Sequence, residues 1–405
     1  VGFKLRVQEG VSLYDKKNTT VGEGNQRRIK NKFDKEKLEY DRKNFEYDIV
    51  YPGIYSGFNP DDGIYIGGGP IFTKYSRYQK RRYGIMGNYA LATNSYNLLF
   101  NASNSYPLRH VEINFNAGYN SSGYAGNFFG LGNETTWNSG EQDIDFYRLQ
   151  MRRSFVQMDF LKWIDNNEVH KAGPGIQYLF ADAEETPARF ISLPSNGLTE
   201  NDLLAHSYAG IYFKYTLNTG AGQNEKAETE FAGSTAFSTR GTQIKTQAGY
   251  FVGLNTQTDN FFKFSGDWIT YLSFSQRPRV VYALRAGGEK LFGNFAFHEA
   301  AKLGNKVNLR AYRETRFYGD ASLYLNAEIR IRMKQFQTYL LNGTIGVLLF
   351  NDTGRVWLEG ENSKRWHNGT GIGFWFAPFD MAMLNVSYAI SSEDQLLNFT
   401  VNYQF

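Results

Sequence analysis

Leu397-Asn-Phe-Thr-Val-Asn-Tyr-Gln-Phe405 ends the chain, and its alternation decides the fold class. The odd positions Leu397, Phe399, Val401, Tyr403 and Phe405 are apolar or aromatic, and the even positions Asn398, Thr400, Asn402 and Gln404 are polar. Period two puts these sets on opposite faces of an extended chain, so the segment reads as a strand with one greasy and one wet face. A helix would instead gather apolar residues three and four apart.

The same pattern recurs upstream. Val111, Ile113, Phe115, Ala117 and Tyr119 alternate with His110, Glu112, Asn114, Asn116 and Gly118, and 242–252 repeats the pattern more loosely. Ala321, Leu323, Leu325, Ala327, Ile329, Ile331 and Met333 alternate with Ser322, Tyr324, Asn326, Glu328, Arg330, Arg332 and Lys334. Such segments run about ten to fourteen residues, against roughly five or six for ordinary strands, and a tilted strand crossing a bilayer needs about nine to eleven. Strands are expected at 45–57, 62–76, 81–93, 95–106, 109–120, 143–157, 168–182, 203–218, 241–255, 260–275, 278–289, 321–334, 343–358, 366–377, 382–390 and 396–405. That is sixteen, an even number as closed bacterial barrels require. The expected fold class is all-β, a sixteen-stranded antiparallel transmembrane barrel.

Composition agrees. Of 405 residues, 33 are Phe, 28 Tyr and 6 Trp, with 41 Gly, 9 Pro and no Cys. The aromatic content excludes disorder, the scarcity of Pro excludes collagen-like and low-complexity classes, and the lack of Cys excludes a disulfide framework. Net charge is +4, too balanced to imply a nucleic-acid partner. No stretch approaches the roughly twenty apolar residues of a membrane helix, and mean hydropathy is −0.49. A membrane barrel turns only every second residue to lipid, so a low average suits it. A large soluble sandwich or propeller would show shorter strands, with turns every 8–12 residues.

Short turns at Asp61-Asp62-Gly63 and Ser391–Asp394, and long connections at 121–142, 183–202, 219–240 and 290–320, suggest short turns on one rim and long loops on the other. Residues 1–43 differ: Gln26–Lys43 is dense in charge and poor in apolar residues, and reads as a pre-barrel linker or the remnant of an upstream domain, with the barrel over 44–405. Val1 opens on no signal peptide, as expected of a mature or excised chain.

Searches for chemistry return little. His110, His170, His206, His298 and His367 are scattered without metal-ligand spacing. Gly67-Gly68-Gly69 lacks the Lys and Ser/Thr of a phosphate loop, and no nucleophile elbow is present. No catalytic, cofactor or metal site is expected in these residues. One constellation is more specific. The longest loop carries Leu309-Arg-Ala-Tyr-Arg313; the next strand carries Asn326-Ala-Glu-Ile-Arg330; the one after it ends in Phe350-Asn-Asp-Thr-Gly354. Alternation turns Glu328 and Asp352 to the wet face. Two buried carboxylates need a cation between them, and the guanidinium of Arg310 can serve both bidentately. On these grounds alone the group is a salt bridge of a kind that polar lumens commonly hold.

These residues carry a resemblance over about 45–405. Leu309–Tyr312, Glu328 and Phe350–Gly354 resemble the hallmark of the bacterial outer-membrane surface-antigen superfamily, which includes the barrel-assembly insertase, its translocation-and-assembly relative and the two-partner-secretion transporters. Phe128-Phe-Gly-Leu-Gly-Asn133 and Ser238-Thr-Arg-Gly241 are similar to further family segments, and Tyr403-Gln-Phe405 resembles the C-terminal signal of outer-membrane barrels. The resemblance implies a loop folded into the lumen, with Arg310 as its lock, Asp352 and Glu328 as partners and Tyr312 as aromatic packing. It implies a weak seam between the first and last strands, which Pro52 and Gly53 suit, because Pro removes a ladder donor. It also implies protein insertion into, or translocation across, the outer membrane of a Gram-negative bacterium, with membrane lipid, client proteins and accessory lipoproteins as partners.

Two departures stand out. Ala311 replaces the motif's Gly, so the backbone there must avoid positive φ or bear strain. Residues 1–43 are too short and too charged for a POTRA domain. The texture of Asn59-Pro-Asp-Asp-Gly63 and the Gly-Gly-Gly-Pro70 run resembles the phosphoesterase-fused barrels of Bacteroidota-type bacteria. That branch gives the alternative function, an anchor or export scaffold for an upstream enzymatic domain; a diffusion pore is a third reading.

Overall fold

The computed structural model describes residues 4–5, 20–21 and 48–401, leaving out 56, 60, 62, 77–78, 109–110, 125, 138–141, 166–168, 221–237, 276–277, 305–307, 339–341 and 379–382. The charged run read as a linker, His110 and the terminal Tyr403 and Phe405 lie outside the described residues. The chain divides into Val1–Glu46 and Tyr47–Phe405. In the first unit Lys4–Leu5 pairs in parallel with Thr20–Val21.

The second unit is one antiparallel sheet. Ile49–Ile54 and Gly57–Asn59 lie in line along Gly63–Ser76. The sheet continues through Gln79–Ala90, Ser95–Leu108, Val111–Asn120, Gln150–Trp163, His170–Glu184, His206–Asn218, Gly241–Gly253, Phe261–Leu272, Val280–Gly293, Ala321–Gln337, Asn342–Trp357, His367–Pro378, Leu384–Ser391 and Gln395–Val401. Each strand pairs with the next in sequence, and the order returns on itself as a closed barrel with the last strand beside the first. Closure leaves no sheet edge, which is what allows strands to exist where no water can satisfy a backbone group.

The distribution of side chains is inside out. On His206–Asn218, Ile211 is 67% exposed and Phe213 53%, while Tyr208 and Tyr212 are buried. On Asn342–Trp357, Ile345 and Leu349 are exposed while Thr344, Leu348 and Asp352 are buried. The sheet thus shows an apolar outer surface far larger than a water-soluble chain tolerates, over an interior holding Arg310, Glu328, Arg330 and Asp352. Among the described residues no helix is long and apolar enough to cross a membrane.

Four expectations need correction. The strand expected at 143–157 runs over Gln150–Trp163, because Asp143 caps a helical turn at Ile144–Tyr147 whose Tyr147 is buried in an aromatic cluster. The first strand is not continuous over 45–57 but breaks between Ile54 and Gly57. The rims do not divide by length. In an antiparallel meander every second connection shares a rim. The turns at 60–62 and 392–394 therefore lie on the same rim as the long connections 121–149, 185–205 and 294–320, and the connection 219–240 lies on the opposite one. Finally, the lumen is not uniformly polar. Leu303, Leu309, Tyr312 and Phe317 of the long connection form one buried cluster with Leu348, Phe350, Val356 and Trp375 of the wall.

Candidate functional site

The long connection after Val280–Gly293 is structured. A 3-10 turn at Phe297–Glu299 precedes a small hairpin, Ala301–Leu303 with Phe317–Gly319, which presents residues 308–316 to the wall. Phe128, from the connection before Gln150–Trp163, packs edge-on to Phe297 and Tyr318 at 5.2 and 5.4 Å, so two connections pack as one body.

Arg310 lies at the centre. Its Nε donates to Asp352 Oδ2 at 2.7 Å and its Nη2 to Asp352 Oδ1 at 2.6 Å, the bidentate fork. Nη1 pairs with Glu328 Oε1, and the Arg310 backbone N–H donates to Asp352 Oδ2 at 3.1 Å. The wall supplies both carboxylates on one face through its register, in which Asn326 pairs with Asp352 and Glu328 with Phe350. Asn326 Nδ2 donates to Asp352 Oδ1 at 2.8 Å and to the Asn308 carbonyl at 2.7 Å, and Arg330 Nε donates to Glu328 Oε2 at 2.7 Å. The guanidinium of Arg310 sits 3.6 Å from the Phe350 ring centroid. Its side chain is 3% exposed, and those of Asp352 and Glu328 are not exposed at all.

Two cations and two anions make this group neutral. Removing any member would strand a buried charge, at about 3–5 kcal/mol. Burial alone would favour the uncharged form of Arg310, but the adjoining Asp352 and Glu328 carboxylates override that and hold its pKa above the usual value. Tyr312, 2% exposed, donates its hydroxyl to the Asn368 carbonyl at 3.1 Å and packs against Phe317 and His367. The structure thus brings Arg310, Glu328 and Asp352 into direct contact, with Tyr312 two residues along the same loop on the neighbouring strand. Pro52 and Gly53 are elsewhere, opposite Pro70 and Gly69 at the closing side of the sheet.

No family model matches the chain, and no curated protein matches it in sequence. Solved structures do. BamA from Haemophilus ducreyi lacking POTRA domains 1–3 superposes with a TM-score of 0.56 at 13% identity, covering 87% of this chain and 70% of that one. CdiB from Escherichia coli gives 0.56 at 11%, and CdiB from Acinetobacter baumannii 0.53 at 12%. This chain has the fold of these BamA and CdiB barrels. It spans 62% and 60% of the two CdiB chains.

The departure at Ala311 has a local answer. Positive φ among described non-glycine residues occurs at Asn94, Ala188 and Thr315, not at Ala311. The room comes from the wall: a Cβ on Gly369 would lie 2.5 Å from the Ala311 methyl. The glycine that the motif places in the loop is matched here by one on the strand that the loop touches. Ser238–Gly241 lies on the opposite rim, where Arg240 Nε donates to the Ser273 carbonyl at 3.0 Å and Gly241 takes a φ of 113°.

Sequence reasoning left several residues of the loop and of the wall it meets without roles. Arg330 completes the charge balance, Asn326 ties Asp352 to the loop backbone, and Arg313 and Arg316 reach other parts of the rim. Their signal was the three-residue spacing of Arg310, Arg313 and Arg316, which alternation-based reading does not test. Beside the loop lies a polar cavity of about 540 Å³, lined among others by Asp159, Lys214, Lys245, Asp267, Glu289 and Lys302. Among the described residues no group of three or more His, Asp or Glu side chains could hold a metal.

Proposed function

We propose that residues 44–405 are a sixteen-staved outer-membrane barrel that inserts proteins into, or passes them across, the outer membrane of a Gram-negative bacterium through a lateral seam. In this count 49–54 and 57–59 are one interrupted stave, since both pair along Gly63–Ser76. The connection 294–320 folds into the lumen as a plug locked by Arg310, with Asp352, Glu328 and Tyr312 as its seat. The apolar outer face meets lipid; the partners are client barrel or secreted proteins, with accessory lipoproteins at the rims. Residues 1–43 are the linker from whatever precedes the barrel.

The observation that carries this reading is the fully enclosed Arg310–Asp352–Glu328 group, in which a loop side chain satisfies two carboxylates of the wall. A pore needs no such lock. An insertion or translocation device needs a plug whose seat in the wall is defined, so that parting of the closing strands is controlled.

The test uses the purified chain in proteoliposomes, offered a small unfolded outer-membrane protein as client. The wild-type chain should accelerate folding of that client over empty liposomes, and Arg310→Ala should lose most of the acceleration while remaining a folded, inserted barrel. Equal client folding with wild-type chain and empty liposomes would discard insertion in favour of the anchor reading. Full activity of Arg310→Ala would discard the lock.

A further inference from the structure

The loop that carries Arg310 touches more than one wall. Arg313 Nε donates to Asp394 Oδ2 at 2.8 Å, and its Nη1 lies 3.5 Å from Asp61 Oδ1. The Glu314 backbone N–H donates to Asp61 Oδ2 at 3.0 Å. Arg316, with no side-chain exposure, donates from Nε and Nη2 to the two oxygens of Glu393 at 2.7 and 3.0 Å. Asn398 of the last strand donates to the Arg310 carbonyl at 3.1 Å. Asp61 sits in the turn joining the interrupted first stave to Gly63–Ser76, and Glu393 and Asp394 form the turn joining the last two strands. These two turns stand on the same rim, on either side of the point where the barrel closes.

We propose that Arg313 and Arg316 form an ionic strap stapling the first hairpin to the last across the closing point, so that the barrel parts sideways only when this loop leaves its seat. The strap regulates the seam of the proposed function and rests on that reading. Its logic is geometric. One guanidinium, that of Arg313, holds one carboxylate from each side of the closure. Arg316 fixes the last hairpin a second time, and Asn398 ties the last strand to the residue that binds Asp352. Seven residues, 310–316, thus carry both the lock on the wall and the strap on the seam, and moving the loop releases them together. The Arg313 arm of the strap is also the more easily broken contact. The Arg313 and Asp394 side chains are 17% and 13% exposed, whereas the Arg310 group is sealed. A partly hydrated ion pair contributes less and yields to salt sooner than an enclosed one.

Hydrogen exchange of the full chain in lipid nanodiscs, read by mass spectrometry without any client, tests this. Arg313→Gln should speed exchange in peptides covering 49–59 and 395–401 by at least about fivefold and leave Gly241–Gly253, across the barrel, unchanged. The nearly isosteric Asp394→Asn should act in the same direction, and its combination with Arg313→Gln should add little, because both remove one contact. Heat-modifiable mobility on gels reports that each variant is folded; should Arg313→Gln fail that check, Asp394→Asn decides. Unchanged exchange at 49–59 and 395–401, or acceleration spread evenly round the barrel, overturns the strap. Because no client is present, a strap that passes while the liposome assay fails removes only the insertion reading, and the reverse removes only the strap.

Discussion

The wall at Ala321–Gln337 and Asn342–Trp357 and the closing point at 49–59 and 395–401 belong to one sheet, yet different interactions hold them. The wall strands are 17 and 16 residues long and paired throughout, with a single register shift near Met333. At the closing point the first stave is interrupted between Ile54 and Gly57 and carries Pro52, which has no ladder donor. Each ladder hydrogen bond adds about 0.5–1.5 kcal/mol net in water, and more where lipid offers no alternative partner. The backbone therefore holds the wall, while side chains of a loop hold the closure.

The sharpest way to break the comparison is to attack the wall's own charge group. Asp352→Ala strips Arg310 of its fork and leaves two cations against the single carboxylate of Glu328. We expect a loss of about 3–5 kcal/mol, read as a fall in the urea midpoint of the vesicle-inserted barrel. Asp352→Asn, which keeps the shape and loses the charge, should fall between it and wild type. A midpoint shift below about 0.5 kcal/mol for the alanine variant, the size of an ordinary surface change, would mean the wall does not depend on the group.

A smaller effect tests the fit between loop and wall. Gly369→Ala puts a methyl on that of Ala311 and should cost about 1–3 kcal/mol by overpacking. Ala311→Gly in the same chain should return most of it, because it restores the clearance from the other side. The double variant gauges coupling between loop and wall directly. If the two changes simply add, the loop is not seated on Gly369 as described.

Much of this was legible beforehand, for a physical reason. A strand wetted on one face and greased on the other must alternate, so 395–401 and Ala321–Gln337 announce themselves residue by residue. The same alternation points Glu328 and Asp352 to one side, and two carboxylates on one enclosed face require a cation. What alternation cannot convey is parity over long distances. Which rim holds 219–240 depends on counting every strand before it, not on the length of the connection. Nor does it reach into loops. Arg313 and Arg316 stand in a segment without period, and their partners Asp61, Glu393 and Asp394 lie in turns at opposite ends of the chain. Such contacts exist only because closure brings the two ends together.

The mildest perturbation bears on the closing point itself. Tyr55 N–H donates to the Gly67 carbonyl at 3.0 Å, so in the register of this pair residues 51, 53 and 55 turn their N–H groups toward Gly63–Ser76. Pro52 falls between them, so the donor it lacks points away from Gly63–Ser76, toward the side on which the barrel closes. The Pro thus spares the hairpin behind it. Pro52→Val restores a donor on that side only and should stabilise the barrel slightly, by about 0.5–1 kcal/mol. It should slow amide exchange within 49–54 with no change at Gly63–Ser76. If the seam must part during the proposed insertion, the same variant should also be slower in the liposome assay, gaining stability and losing rate. Faster client folding together with slower exchange would separate closure strength from function, and the seam would then be an accident of the fold.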